Sequence, residues 1–219
     1  MNLAALQAEL RRTLPHARLV ASDLPGVPEL RLWLLDPDNL DQAFSSEEPR
    51  RILEDPPYWG FCWGSGLALA RWILDHPQEV RGKRVLDFGS GSGVVALACS
   101  LAGAASSIAC DLDLQARMAS QLNAELNALP LDYAGDFFAQ SGPVDLIVAA
   151  DVLYDADNRF FLDRFVQRAG AVLLADSRVR DLRHPGYRRE HILEGRTWPD
   201  LGEPVEFRQV SLYRATSGA

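Results

Sequence analysis

Nine residues, Val85-Leu86-Asp87-Phe88-Gly89-Ser90-Gly91-Ser92-Gly93, narrow the folds open to this chain more than any other stretch. An apolar run passes directly into three alternating glycines, and helix-compatible residues follow from Val94. Glycine takes φ > 0 without steric cost and lets the backbone approach a ligand, while the start of a helix offers free N–H groups. The order strand, acidic residue, glycines, helix reads as a nucleotide-type binding turn. A purely structural tight turn is the alternative.

The surroundings support an α/β fold. Strands are predicted at Arg84–Phe88, Ser107–Cys110, Leu131–Ala134, Asp145–Ala150 and Ala171–Ala175, and helices at Val94–Ala102, Gln115–Leu126 and Arg159–Arg168. Alternation at this pitch implies a doubly wound, mostly parallel sheet. The runs Leu146–Ala150 and Val172–Ala175 are continuously apolar, as strands covered on both faces are. Val205–Tyr213 alternates and is expected to supply an antiparallel last strand. Upstream, Leu3, Leu6, Leu10 and Leu14 predict a helix, Glu29–Leu35 a strand, and Ser65–His76 a helix stopped by Pro77. The chain divides into an N-terminal extension, residues 1–57, packed on one binding domain, residues 58–219.

Spacing separates the candidate ligands. Dinucleotide enzymes place a third glycine three positions after the second, which here is Val94, so the NAD fingerprint fails. Gly93 comes two after Gly91, and with Asp87 in front the motif resembles motif I of S-adenosylmethionine enzymes. Asp111 ends the second strand, where a carboxylate accepts hydrogen bonds from ribose hydroxyls, although it suits either cofactor. Gly135-Asp136-Phe137 looks like an adenine-contacting turn, Asp136 accepting from the exocyclic amine and Phe137 lying on the ring. Asp136 as a simple turn residue stays open. The cofactor set expected from these motifs is Asp87, Gly89, Ser90, Gly91, Gly93 and Asp111 with its neighbour Leu112, then Asp136, Phe137 and Ala150.

Ligands of open α/β sheets bind beyond the carboxyl ends of the strands, so Asp151 and Tyr154, just past the fourth strand, are the candidate catalytic pair. A carboxylate and a phenol three apart can both face that crevice and hold a nucleophile. Asp151 capping a helix from Val152 is the competing reading. Arg178, Arg180, Arg183, Arg188 and Arg189 follow the fifth strand as either a substrate contact or a solvated loop.

Composition removes several classes. Hydrophobic residues make up 47% and charged ones 24%, an ordinary globular balance. A net charge of −8 disfavours nucleic acid as a partner. Asp36–Asp55 carries seven carboxylates against Arg50 and Arg51, a solvated surface or an attractor for a basic partner. Asp55-Pro56-Pro57-Tyr58 copies an amine-gripping motif of some DNA methyltransferases, but no buried strand precedes it. Cys62, Cys99 and Cys110 have no C-x-x-C spacing, and the four histidines, His16, His76, His184 and His191, have no ligand spacing. Neither disulfides nor a metal are therefore expected. Met1–Leu14 lacks the apolar run of a signal peptide, and no stretch reaches the length of a membrane span, so no membrane partner and a cytoplasmic setting are expected.

From Pro56-Pro57-Tyr58-Trp59-Gly60-Phe61-Cys62-Trp63 and Gly66-Leu67-Ala68-Leu69, through Val80–Asp87 and the glycines, to Cys110-Asp111-Leu112-Asp113 and Leu122–Asn127, the chain strongly resembles the electron transfer flavoprotein β-subunit lysine methyltransferases. The resemblance covers roughly Pro56 to Asp155. It implies the seven-strand S-adenosylmethionine methyltransferase fold, S-adenosyl-L-methionine as cofactor, Trp59 or Trp63 at the cofactor, and a protein lysine as acceptor. It also implies that Asp151-Val152-Leu153-Tyr154 is the Asp/Glu-x-x-Tyr/Phe motif lining the lysine channel. Asp176-Ser177-Arg178-Val179-Arg180 stands where a Gly-Asp-Pro-Gly-Arg-like stretch is expected. That departure keeps a small-molecule N-methyltransferase, and a cofactor-binding module without catalysis, as alternatives.

Overall fold

The computed structural model of the chain describes residues 2–40, 56–154 and 156–216. Most of the acidic stretch Asp36–Asp55 and Asp155 therefore lie outside the described residues.

Helix α1 (Leu3–Thr13) starts on the Asn2 side chain, which accepts from the Ala5 N–H, and ends with Arg11 and Arg12 at the negative end of its dipole. Leu6, Leu10 and Leu14 form its fully buried stripe, each worth roughly 1.5–3 kcal/mol. A hairpin follows, β1 (Leu19–Leu24) paired antiparallel with β2 (Val27–Leu35). β2 covers the predicted strand, whereas β1 was not expected: Leu19-Val20-Ala21-Ser22-Asp23-Leu24 buries residues without strict alternation.

The main sheet comprises β3 (Arg84–Phe88), β4 (Ser106–Cys110), β5 (Asp132–Ala134), β6 (Val144–Ala150), β7 (Ala169–Asp176), β8 (Arg188–Glu194) and β9 (Gln209–Thr216). Their order is β5-β4-β3-β6-β7-β9-β8, with β9 antiparallel to both its neighbours and the first five strands parallel. One face carries α2 (Gly64–Asp75) and α3 (Val94–Leu101), whose apolar residues pack on Val85, Leu146, Val148 and Leu173. The opposite face carries α5 (Phe161–Arg168) on Leu86, Ile147, Val172 and Leu174. Helix α4 (Leu114–Asn127) packs on α1 and the N-terminal hairpin through Ala116, Met118, Ala119 and Leu122.

Three segments depart from expectation. The predicted helix Arg159–Arg168 is a 3-10 turn, Ala156–Phe160, followed by α5. The strand expected over Val205–Tyr213 begins only at Gln209, after a 3-10 turn at Val205–Arg208; it is the last strand of the chain and antiparallel, as expected, and lies between β7 and β8. Residues 188–190, read as loop, begin β8. That strand is mostly exposed and arginine-rich, so its sequence lacks an apolar alternation.

Candidate active site

A cavity of roughly 930 Å³ opens beyond the carboxyl ends of all five parallel strands. Its walls come from the turns after β3 (Phe88, Gly89, Gly91), β4 (Cys110–Asp113), β5 (Gly135–Phe138), β6 (Ala150–Tyr154) and β7 (Ser177, Arg178).

The glycine turn explains its own sequence. Gly89, Gly91 and Gly93 have φ of 66°, 51° and 82°, and a Cβ on Gly93 would meet the Ser120 Oγ at 2.9 Å. An ordinary side chain is thus excluded by conformation and by the close approach of α4. Four N–H groups of this turn are already engaged. Gly89 and Ser90 donate to the Cys110 carbonyl, Gly91 to Asp111 Oδ2, and Gly93 to the Ser90 carbonyl. These four N–H groups are therefore not available to a nest of donors of the kind that holds a pyrophosphate.

Asp111 accepts from the Gly91 N–H on Oδ2 at 2.9 Å and from the Asp113 N–H on Oδ1 at 3.0 Å. Each oxygen keeps acceptor capacity toward the cavity. Burial raises its pKa despite those two hydrogen bonds. Leu112 beside it is 80% exposed, an apolar side chain offered to the cavity. Asp136 accepts from the Phe138 N–H at 2.8 Å, so it is a turn residue and a cavity wall at once. Phe137 is buried, its ring 5.6 Å from Phe88 and 5.6 Å from Phe165, and it lines the cavity together with Phe88, Phe138 and Phe161.

Asp87, Ser90 and Gly93 do not line the cavity, although the motif includes them. Asp87 is 2% exposed and accepts from the Ala96 N–H at 3.0 Å, in the first turn of α3. It anchors the helix that the glycines lead into. Burial pushes its pKa up to about 8. Ser90 is buried, and Gly93 is the N-cap position of α3.

Asp151 adopts φ of 50°, a left-handed conformation rare outside glycine. It caps no helix at Val152. It reaches instead to the start of α2, Oδ2 accepting from the Ser65 N–H at 3.2 Å and Oδ1 from the Ser65 hydroxyl at 2.6 Å. Ser177 adds two donors to Oδ1, its N–H at 3.2 Å and its hydroxyl at 2.9 Å. Oδ1 is saturated, while Oδ2 retains a lone pair. Tyr154 is 60% exposed at the rim, its ring 5.8 Å from Tyr58, which in turn lies 5.8 Å from Trp63. The Trp63 indole N–H donates to the Tyr58 carbonyl at 2.8 Å and fixes this aromatic lip. Trp59 is buried and Trp63 half-buried, and both border the cavity.

Several wall residues went unremarked in the sequence. Thr197, Glu203 and Phe207 come from the connection between β8 and β9, where Thr197 and Glu203 carry no periodic signal and Phe207 falls in the alternating stretch expected as strand. That connection docks because Gly195 has no Cβ: one built there would lie 2.2 Å from the Gly64 carbonyl oxygen. Cys62 and Trp198 exchange backbone hydrogen bonds of 2.7 and 2.8 Å alongside. Of the five arginines after β7, only Arg178 reaches the cavity. Arg180 donates to the Glu206 carbonyl, Arg183 pairs with Asp181, Arg188 with Glu190, and Arg189 donates to the Arg180 carbonyl.

Residues 70–165 match the family model described as ribosomal protein L11 methyltransferase (PrmA). The electron transfer flavoprotein beta subunit lysine methyltransferase of Xenopus laevis is 41% identical over 152 residues, 68% of this chain and 61% of that protein. Its Homo sapiens counterpart is 38% identical over 155 residues, 69% of this chain and 58% of that protein. The chain thus spans about three fifths of the length of these relatives. Among solved structures, the magnesium protoporphyrin IX methyltransferase of Synechocystis PCC 6803 with bound SAM superposes with a TM-score of 0.54 at 15% identity. The match covers 83% of this chain and 90% of that one. The chain has the seven-strand fold of class I S-adenosylmethionine-dependent methyltransferases, and in sequence it is similar to the electron transfer flavoprotein β-subunit lysine methyltransferases.

Proposed function

We propose that this chain is an S-adenosylmethionine-dependent N-methyltransferase whose acceptor is a lysine side chain of an electron transfer flavoprotein β subunit or a similar protein. One observation carries the reading: a single cavity joins the Asp111 carboxylate and the glycine turn at one end to Asp151 under an open aromatic lip at the other. The residues fit the cofactor. Asp111 offers one acceptor site on each oxygen, matching two vicinal ribose hydroxyls, and Leu112 and Phe138 offer apolar surface to an adenine. With four N–H groups of the turn engaged, fewer donors are left for a pyrophosphate. Bound there, S-adenosylmethionine supplies an electrophilic methyl group on its sulfonium.

The remaining work falls to the acceptor end. A lysine amine attacks only when neutral, and its ordinary pKa is about 10.4, so the site must strip water from it and let its proton leave. Tyr58, Trp63 and Tyr154 surround an alkyl chain with aromatic surface and exclude solvent. Asp151 Oδ2 accepts from the amine and fixes the direction of its lone pair, a contribution of proximity and orientation. Four donors from Ser65 and Ser177 hold that carboxylate still. The exposed lip favours a lysine on a protein surface over an enclosed metabolite. The three buried thiols suit a reducing compartment, which we take to be the cytoplasm.

Purified β subunit incubated with the enzyme and S-adenosylmethionine should gain lysine mass shifts in multiples of one methyl group. An unmodified subunit beside a methylated metabolite in cell extract would replace the protein acceptor with a small amine. Calorimetry should give micromolar binding of S-adenosylhomocysteine and none of NAD. Asp111→Ala should weaken that binding by about 1–3 kcal/mol, because a hydroxyl pair loses a charged acceptor.

A further inference from the structure

The acceptor end of the cavity holds a second carboxylate. Glu203, on the connection between β8 and β9, lines the same cavity as Asp151. Its Oε2 accepts from the Thr197 hydroxyl, and that hydroxyl in turn accepts from the Gly64 N–H at 3.2 Å. The next residue, Ser65, holds Asp151. The two carboxylates therefore flank the first turn of α2, fixed there by consecutive residues of one helix. Asp151 is joined through Ser177 to Arg178, and Arg178 returns to Glu203. Four segments far apart in sequence thus close a polar ring around this end of the cavity.

The ring has one loose joint. Arg178 lies 3.6 Å from Glu203 Oε1, beyond hydrogen-bonding reach, and its side chain is 45% exposed. Its guanidinium rests over the Phe207 ring, 4.6 Å from the centroid. A half-exposed ion pair with such geometry contributes little to stability, so exchanging one cation for another costs little. Glu203 Oε1 is the less engaged of its two oxygens, since Oε2 is held by the buried Thr197.

Resting on the lysine reading above, we propose that Glu203 is a specificity-determining carboxylate that binds the cationic acceptor as it enters. Arg178 is its internal counter-ion, which the incoming ammonium displaces. Glu203 captures the charged form at the mouth, and Asp151 receives the amine at the point of transfer. Arg178 competes with the acceptor for Glu203 and so selects against neutral side chains, for which no carboxylate contact repays the exchange.

The variants Glu203→Gln and Arg178→Gln separate this role from a structural strut. Gln keeps an oxygen for the Thr197 hydroxyl and removes only the charge. With purified β subunit as acceptor, Glu203→Gln should raise both KM and the directly measured dissociation constant of the subunit by about tenfold, with kcat changed much less. Arg178→Gln should lower both constants, the opposite sign. Calorimetric affinity for S-adenosylhomocysteine should stay within about twofold of wild type in each. Acceptor constants unmoved in Glu203→Gln, or moved the same way in both variants, would overturn the proposal, because a strut loses stability from either side. If the wild type leaves the β subunit unmodified and labels a small amine instead, the lysine reading fails. The same pair of variants is then measured with that amine, where opposite shifts uphold Glu203 as the cation site and equal values reject it.

Discussion

Asp87 and Asp111 belong to one sequence signature and do different physical work. Asp111 stands just past the end of β4 with both oxygens partly free, whereas Asp87 is buried within β3 and serves the Ala96 N–H. Their spacing made both legible as site residues. It did not reveal which one faces the cavity, because that depends on helices covering both faces of β3. The difference has a measurable consequence. Asp87 has an unfolded pKa near 3.8 and a folded value pushed up to about 8 by burial. Between those values the unfolded chain has released its proton and the folded chain has kept it. The stability that this group contributes is therefore fully present below about pH 4 and is lost as pH rises through about 8, at about 1.4 kcal/mol per pH unit. Asp87→Asn keeps an oxygen for the Ala96 N–H and removes the titration. Urea unfolding at pH 5 and pH 8 should show the variant gaining on wild type at the higher pH; parallel losses in both proteins would assign the slope to other groups. Asp151 was legible as a site residue too, but its two serine partners were not, since nothing in Ser65 or Ser177 distinguishes them from other serines in the sequence.

Helix α4 couples elements that the chain keeps far apart. Asn123 is fully buried, accepts from the Trp33 N–H of β2 at 2.7 Å, and donates to the Ser92 carbonyl in the glycine turn at 2.8 Å. One turn later Asn127 accepts from the Arg31 N–H at 2.9 Å and donates to the Arg31 carbonyl. The N-terminal hairpin is in this way tied to the cofactor turn by a single helix face. Asn123→Ala leaves a buried N–H and a buried carbonyl unpaired and should cost about 1–3 kcal/mol for each, read by chemical denaturation. Affinity for S-adenosylhomocysteine should fall with it, and unchanged affinity in the folded variant would show that the turn needs no such tether. Elements with apolar periodicity were readable: α1, β2, α2 and the strands from β3 to β7 lie within a few residues of their predicted bounds. β1 and β8 were not, because an unevenly buried hairpin strand and an arginine-rich edge strand are patterned by their neighbours more than by their own side chains.

At the scale of the whole molecule, the end of the cavity at the glycine turn was legible because its walls are the short turns directly after β3, β4 and β5, three strands readable in the sequence. The opposite wall was legible only in part, through Asp151, Tyr154 and Arg178: it also gathers residues from α2 and the β8–β9 connection, and no local pattern announces Thr197 or Glu203. The sheet order carries one more consequence. β7 and β8 do not pair with each other; they are linked only by β9, which lies between them and comes after both in the chain. Ending the chain at Arg208 would turn the apolar strand Val172-Leu173-Leu174-Ala175 into an open edge, a template for association. Such a truncation should sediment as oligomers or be recovered in the insoluble fraction, and a monomer with the thermal midpoint of the full chain would contradict the topology. On the ribosome, then, the two ends of the cavity mature at different times. Strands β3 to β6 emerge with their turns while β9 is still untranslated, so a nascent chain can shape the cofactor half early. The half that would discriminate between acceptors waits for the last strand to be threaded between its neighbours.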